Sequence, residues 1–166
     1  MRLLHFFIEK CRARAGNLLV ALGLLIAGCA EDTCTPATCL MGSCVDGNCV
    51  CDAGAEGVNC TQESRLRVLG EWEVGDICRQ NSTVYNVSIT AGADPNAVTI
   101  DNLNQQDIPV SAVVDGLSFT IPDQILGQQT IQGAGGLDTT AQIISLEYRI
   151  DPGGSNEVVC QAAFRR

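Results

Sequence analysis

The chain has 166 residues, room for one ordinary domain and a small companion, and a formal net charge of −9. Beyond Arg14 its few basic residues, six arginines, are scattered, which argues against nucleic acid or any other polyanion as a partner, because such binding needs a basic stripe. The one histidine, His5, and the one lysine, Lys10, both stand close to the N-terminus, so the rest of the chain is short of groups that exchange protons near neutrality.

The first element is basic, with Arg2, Lys10, Arg12 and Arg14, and is followed by the apolar run Leu18 to Ala27 and then Gly28-Cys29. Such a run is too short to span a bilayer and reads as the core of a secretory signal. Small residues ahead of a cysteine let a peptidase approach the backbone beside the residue to be modified, and Ile26-Ala27-Gly28-Cys29 resembles the lipobox of bacterial lipoproteins. That resemblance implies a signal peptide over 1–28, a lipidated N-terminus at Cys29 and a short tether over 29–33. Several acyl chains, each buried methylene contributing ~0.8 kcal/mol, would hold the protein on a membrane. Ala30, Glu31 and Asp32 resemble the acidic signal that accompanies surface display in some Bacteroidetes, so the expected place is the outer membrane, with the cell surface as a further possibility. The part after the signal keeps six arginines, no lysine and eighteen of the nineteen acids.

With Cys11 in the signal and Cys29 on lipid, eight cysteines remain: Cys34, Cys39, Cys44, Cys49, Cys51, Cys60, Cys78 and Cys160. An even set in an exported chain reads as four disulfides. Six of them crowd into residues 34–60, a segment with almost no large apolar side chain that cannot fold by burying a core and needs staples. Six cysteines allow fifteen pairings, and spacing does not choose among them. The segment resembles the EGF-like family, including the closing Cys49-Val50-Cys51 and the two glycines, Gly54 and Gly57, ahead of Cys60. The resemblance implies Cys34 with Cys44, Cys39 with Cys49, and Cys51 with Cys60. Gly54 and Gly57 are then expected where the chain needs positive φ or close backbone approach. Paired Cys-x-x-Cys motifs are absent, so no zinc is expected; Glu31, Asp32 and Asp46 only partly match the acidic pattern of calcium-binding EGF-like modules, so neither calcium nor another cofactor is expected.

After a linker over 61–65, apolar and polar residues alternate with the period of half-buried antiparallel strands. Val68, Gly70, Trp72 and Val74 share one face against Arg67, Glu71 and Glu73, and Ile144, Leu146, Tyr148 and Ile150 oppose Ser145, Glu147 and Arg149. Further strands are expected at 84–90, 97–103, 110–114, 117–121, 125–132 and 157–164. Turns are expected at Asp94-Pro95-Asn96, Asp115-Gly116 (type I′), Gly133 to Gly136 and Asp151 to Asn156. The fold class is therefore all-β: a small disulfide-rich module, then an antiparallel barrel or sandwich of about eight strands over 66–166. Cys78 and Cys160 are expected to bridge the ends of this domain. The Gly70-x-Trp72 start, that bridge and the meander of hairpins resemble lipocalin-like domains of Bacteroidetes lipoproteins.

Catalysis is not expected, because the β-domain has no histidine, lysine or spare thiol, and its acids alternate along faces that should meet solvent. The first functional expectation is a non-catalytic interaction lipoprotein whose disulfide-rich module and β-domain loops meet a protein or glycan partner. The second is a carrier, with Trp72, Val87, Phe119, Leu146 and Phe164 lining a barrel that holds a small apolar molecule. A carboxylate-based hydrolase is a distant third.

Overall fold

The computed structural model describes residues 39–153 and 156–166. They belong to one compact unit, Asp32–Arg166. The signal, Cys29, the tether and Cys34 lie outside the described residues.

The disulfide-rich module has two small hairpins. Strand β1 (Gly42–Val45) pairs with β2 (Asn48–Cys51) around a turn at Asp46-Gly47, both at positive φ, and β3 (Ala55–Glu56) pairs with β4 (Gln62–Glu63). Cys39 is bonded to Cys49 and Cys51 to Cys60, two of the three pairs in the EGF-like order. Cys44 is also disulfide-bonded.

Residues 61–65 are not a free linker. Their first part is β4, and a 3-10 turn, Ser64–Arg67, follows with Ser64 fully buried. This segment fastens the module to the β-domain. The Ser64 amide donates to Gly54 O at 2.8 Å, Gly54 N donates to Asp115 Oδ1 at 3.2 Å, and Gly116 N donates to Ser64 Oγ at 3.2 Å. Arg65 donates to the carbonyls of Gly92 and Asp94 at 2.8 and 2.7 Å. Gly54 is required here twice over, by φ +81° and by Asn96, whose Cβ would lie 2.3 Å from any side chain added.

The β-domain is a closed barrel, not a sandwich. Its eight antiparallel strands are β5 (Gly70–Cys78), β6 (Asn81–Ala91), β7 (Ala97–Asp101), β8 (Val110–Asp115), β9 (Ser118–Leu126), β10 (Gln129–Leu137), β11 (Ile143–Asp151) and β12 (Val158–Arg165). Each pairs with its sequence neighbours, and β12 returns to pair with β5. Closure of this last seam puts Cys78 directly opposite Cys160, and the two are bonded across the strands. Cys78 is thus the last residue of β5. At the other end of the seam Arg166 lies 4.2 Å over the Trp72 ring and donates to Leu69 O, which latches the C-terminus to the start of the barrel.

Three turns differ from the sequence expectation. The hairpin between β5 and β6 turns on Arg79-Gln80, both at positive φ as a type I′ turn needs, although neither residue advertises it. In the β8–β9 hairpin Asp115 pairs with Ser118, so the turn residues are Gly116-Leu117, and Gly116 alone has positive φ, the pattern of type II′. The segment expected as one strand over 125–132 is cut by a turn at Gly127-Gln128. Gly133 to Gly136, expected as a turn, lie inside β10, because only glycine lets that strand press this closely on β11. A methyl group on Gly135 would come 2.0 Å from Ser145 O, and one on Gly133 would come 2.7 Å from Tyr148 Cβ.

Alternation otherwise holds, and the inward side chains make one core that includes Val74, Ile89, Ile100, Val114, Ile121 and Ile144. Gly75 is a contrast to Gly135: its φ is not positive and a Cβ there would meet nothing within 4 Å. Gly135→Ala is therefore expected to cost about 3 kcal/mol through overpacking. Gly75→Ala should raise stability by about 0.5 kcal/mol by restricting the unfolded chain. Urea midpoints of the two variants check both signs.

Candidate functional site

The five side chains expected to line a ligand cavity are part of the core. Trp72, Val87, Phe119, Leu146 and Phe164 are all at most 3 % exposed. Phe164 is the hub: the Trp72 ring meets it edge-on with centroids 6.5 Å apart, and Phe119 packs on it at 6.4 Å. Trp72 Nε1 donates to Val68 O at 2.7 Å, so its one polar atom is also spent internally. At this level the barrel contains its own side chains, as an eight-stranded barrel of ordinary diameter can.

Toward the other end the interior becomes polar around Asp76. This residue breaks the expectation that the acids face solvent: it follows Trp72 and Val74 on the inward face and is 1 % exposed. Its Oδ2 accepts hydrogen bonds from Tyr85 Oη, at 2.7 Å, and from Tyr148 Oη. Tyr85 Oη in turn accepts from the amide of Asn104 at 2.8 Å. Asn104 sits at the end of the barrel in a tight 3-10 turn, Leu103–Gln105, with φ +55°. The carboxylate charge is thus shared over two buried phenols. Both phenols are held above the ordinary value of 10.0, first by burial and then by the hydrogen bond to Asp76.

A carboxylate oxygen of Asp76 and the sulfurs of Cys78 and Cys160 lie within 4.8 Å of one another, a spacing that would suit a metal. Both sulfurs are consumed by the disulfide, however, and carry no charge to offer. What remains is one carboxylate held by two phenols, which ties β5 to β6 and β11 inside the barrel.

The outside of the barrel offers more. One groove of about 440 Å³ runs over Thr120, Pro122, Asp123, Gln132, Ala134, Glu147 and Arg149, and a second of about 500 Å³ over Gly75, Ile77, Ala134, Ser145, Glu147, Gln161 and Ala163. Ala134 and Glu147 belong to both, so the two form one trough across β9, β10, β11, β12 and β5. The strand register explains its shape. Gly136 stands opposite Ser145, Ser145 opposite Ala163 and Ala163 opposite Gly75, so small residues follow one another across the strands and make a floor. Thr120, Glu147, Gln161 and Ile77 rise beside it, with Ile77 52 % exposed. Asp123 and Glu147 take part in no ion pair among the described residues.

No protein-family model matches the chain, and no curated protein matches it. The trough was missed by sequence reading because its residues are drawn from five strands. Asp76 had a signal, an acid on the inward parity of β5.

The buried phenols make stability depend on pH in one direction. Their folded pKa values are raised, so their contribution is complete below pH 10 and is lost as pH rises further, because the unfolded chain ionises first. Urea unfolding from about pH 9 to about pH 11 should show no loss from these groups before pH 10 and then a fall of about 1.4 kcal/mol per pH unit for each phenol. Tyr148→Phe should remove half of that slope.

Proposed function

We propose that this protein is a membrane-tethered, extracytoplasmic, non-catalytic lipoprotein that binds a protein partner along the outer trough of a lipocalin-like barrel. The observation that carries the reading is where the aromatic side chains are. Trp72, Tyr85, Phe119, Tyr148 and Phe164 are all buried in the core, and these are all the aromatic residues after Phe7. Sugar rings bind by laying their C–H faces on exposed aromatic rings, and the trough has none. A polypeptide can bind without such a platform, by laying its backbone close over small residues such as Gly75, Ala134 and Ala163 and bonding to polar groups such as Ser145 and Gln161. Gly75 supports this, since nothing among the described residues requires a glycine there.

The same packing weighs against the carrier reading, because the side chains named as a ligand lining fill one another's space. On this reading the EGF-like module is a spacer, fixed to the barrel through Gly54, Ser64 and Arg65.

Two measurements test the proposal. Replacing residues 1–29 by a signal that is cleaved without lipid should move the protein from the membrane fraction to the soluble fraction with its disulfides intact; retention on the membrane would sink the lipid tether. A photo-crosslinking residue at Ser145 should give a discrete adduct in intact cells, and the same residue at Thr99, on β7 away from the trough, should not. Equal crosslinking from both positions, or none from Ser145, would remove the trough from consideration.

A further inference from the structure

The barrel is closed unevenly. Strand β6 pairs with β5 along Asn81–Ile89, but on its other side β7 meets it only over Ser88–Ala91. Strand β7 ends at Asp101, and at Asn102, with φ +71°, the chain turns inward over the barrel end, where the Asn104 amide reaches Tyr85 Oη. It does not continue beside β6. Asn102 Nδ2 donates to Asn86 O at 2.8 Å and closes that one position. Backbone groups of a strand point alternately to its two sides, so Ser82 and Val84 share the direction of Asn86 and face outward along an edge that no described backbone covers.

Natural sheets protect such edges with charges, prolines or bulges. The neighbouring seam shows one such solution. Strands β8 and β9 pair only over Val113–Asp115, and above that point Pro122 has no amide to offer. There the Gln124 side chain takes over the missing pairing, accepting from Ser111 N at 2.9 Å and donating to Ser111 O at 2.7 Å. The open edge of β6 has none of these devices. Asn81-Ser82-Thr83-Val84-Tyr85-Asn86 holds no charge and no proline, its register with β5 is unbroken, and Val84 is 67 % exposed beside Ile77 at 52 %.

We propose that this edge pairs with the same edge of a second copy, joining two barrels through antiparallel β6 strands about a two-fold axis. The edge suits itself. With Thr83 of each copy at the axis, Ser82 of one chain stands opposite Val84 of the other, and the amides and carbonyls of both residues are then satisfied. The hairpin tip of each copy is directed at the end of β7 in its partner, which sets Arg79 toward Asp101, an attraction. The charge of residues 30–166, six arginines against eighteen acids or −12, opposes association only weakly, because the paired segment is uncharged and charges beyond about 8 Å are screened at physiological salt. Val84 and Ile77 of both copies then form one apolar contact in place of two exposed ones.

The test uses residues 30–166, which contain the whole compact unit, exported and purified with disulfides intact. Sedimentation over about a hundredfold range of concentration should show a monomer–dimer equilibrium, and hydrogen exchange should show the amides of Ser82 and Val84 protected only where dimer is present. Ser82→Pro removes an outward amide that β5 does not use, and Val84→Lys places a charge on the edge. Both variants should be monomeric throughout, with circular dichroism and urea midpoints close to those of the parent chain. A parent chain that stays monomeric at every concentration overturns the proposal. So does a dimer that persists in both variants, or one in which the Ser82 and Val84 amides exchange freely.

Discussion

Everything in this molecule hangs on the return of β12 to β5. Without that seam the eight strands would be an open sheet with two raw edges; with it the inward faces of all eight surround a single core. The seam is fastened three times along its length. Cys78 is bonded to Cys160 at one end, Phe164 packs on Trp72 near the other, and Arg166 covers Trp72 and holds Leu69 O beyond it. In the loop-entropy view a link between residues 82 apart in sequence restricts the unfolded chain by about 4 kcal/mol.

Closure also fixes where function can be. A small barrel has limited interior volume, and here the bulky residues claim it: Phe164 is shared by Trp72 and Phe119 in one part, and Asp76 is held by Tyr85 and Tyr148 in another. These groups hold the inside rigid, and the same choice removes every aromatic side chain of the β-domain from the surface. What the outside keeps, among the described residues, is a trough floored by small residues and a stretch of β6 backbone that no described strand pairs.

The two incomplete seams of the barrel, β6 with β7 and β8 with β9, have a common origin. Strands β7 and β8 are short, five and six residues, because the chain between them is spent on the turn that covers the barrel end and supports Tyr85. One seam is repaired by the side chain of Gln124 and the other is not. The disulfide-rich module is bonded through Gly54, Ser64 and Arg65 at the opposite end of the barrel from the open edge of β6.

The all-β class, the strand faces and the cysteines available for bridging were legible in the sequence, because alternation and cysteine spacing are local patterns that physical chemistry reads one way. Trp72, Val74, Ile144, Leu146 and Tyr148 point inward for that reason. Barrel or sandwich was not legible, since both present the same alternation, and only the register of β12 on β5 chose between them. Turn chemistry misled in two directions. Arg79-Gln80 form a turn without turn residues, held there by the pairing of Cys78 with Asn81, while Gly133 to Gly136 resemble a turn and lie in a strand because β11 needs the space of their missing side chains. Asp76 stood on the inward face in plain view, but its phenol partners come from β6 and β11, and the trough gathers residues from five strands. The sequence by itself determined which side of each strand is buried, a matter of neighbouring residues. Which side chains meet inside, and which backbone is left unpaired, only the closed tertiary structure decided, because both depend on contacts between residues far apart in the chain.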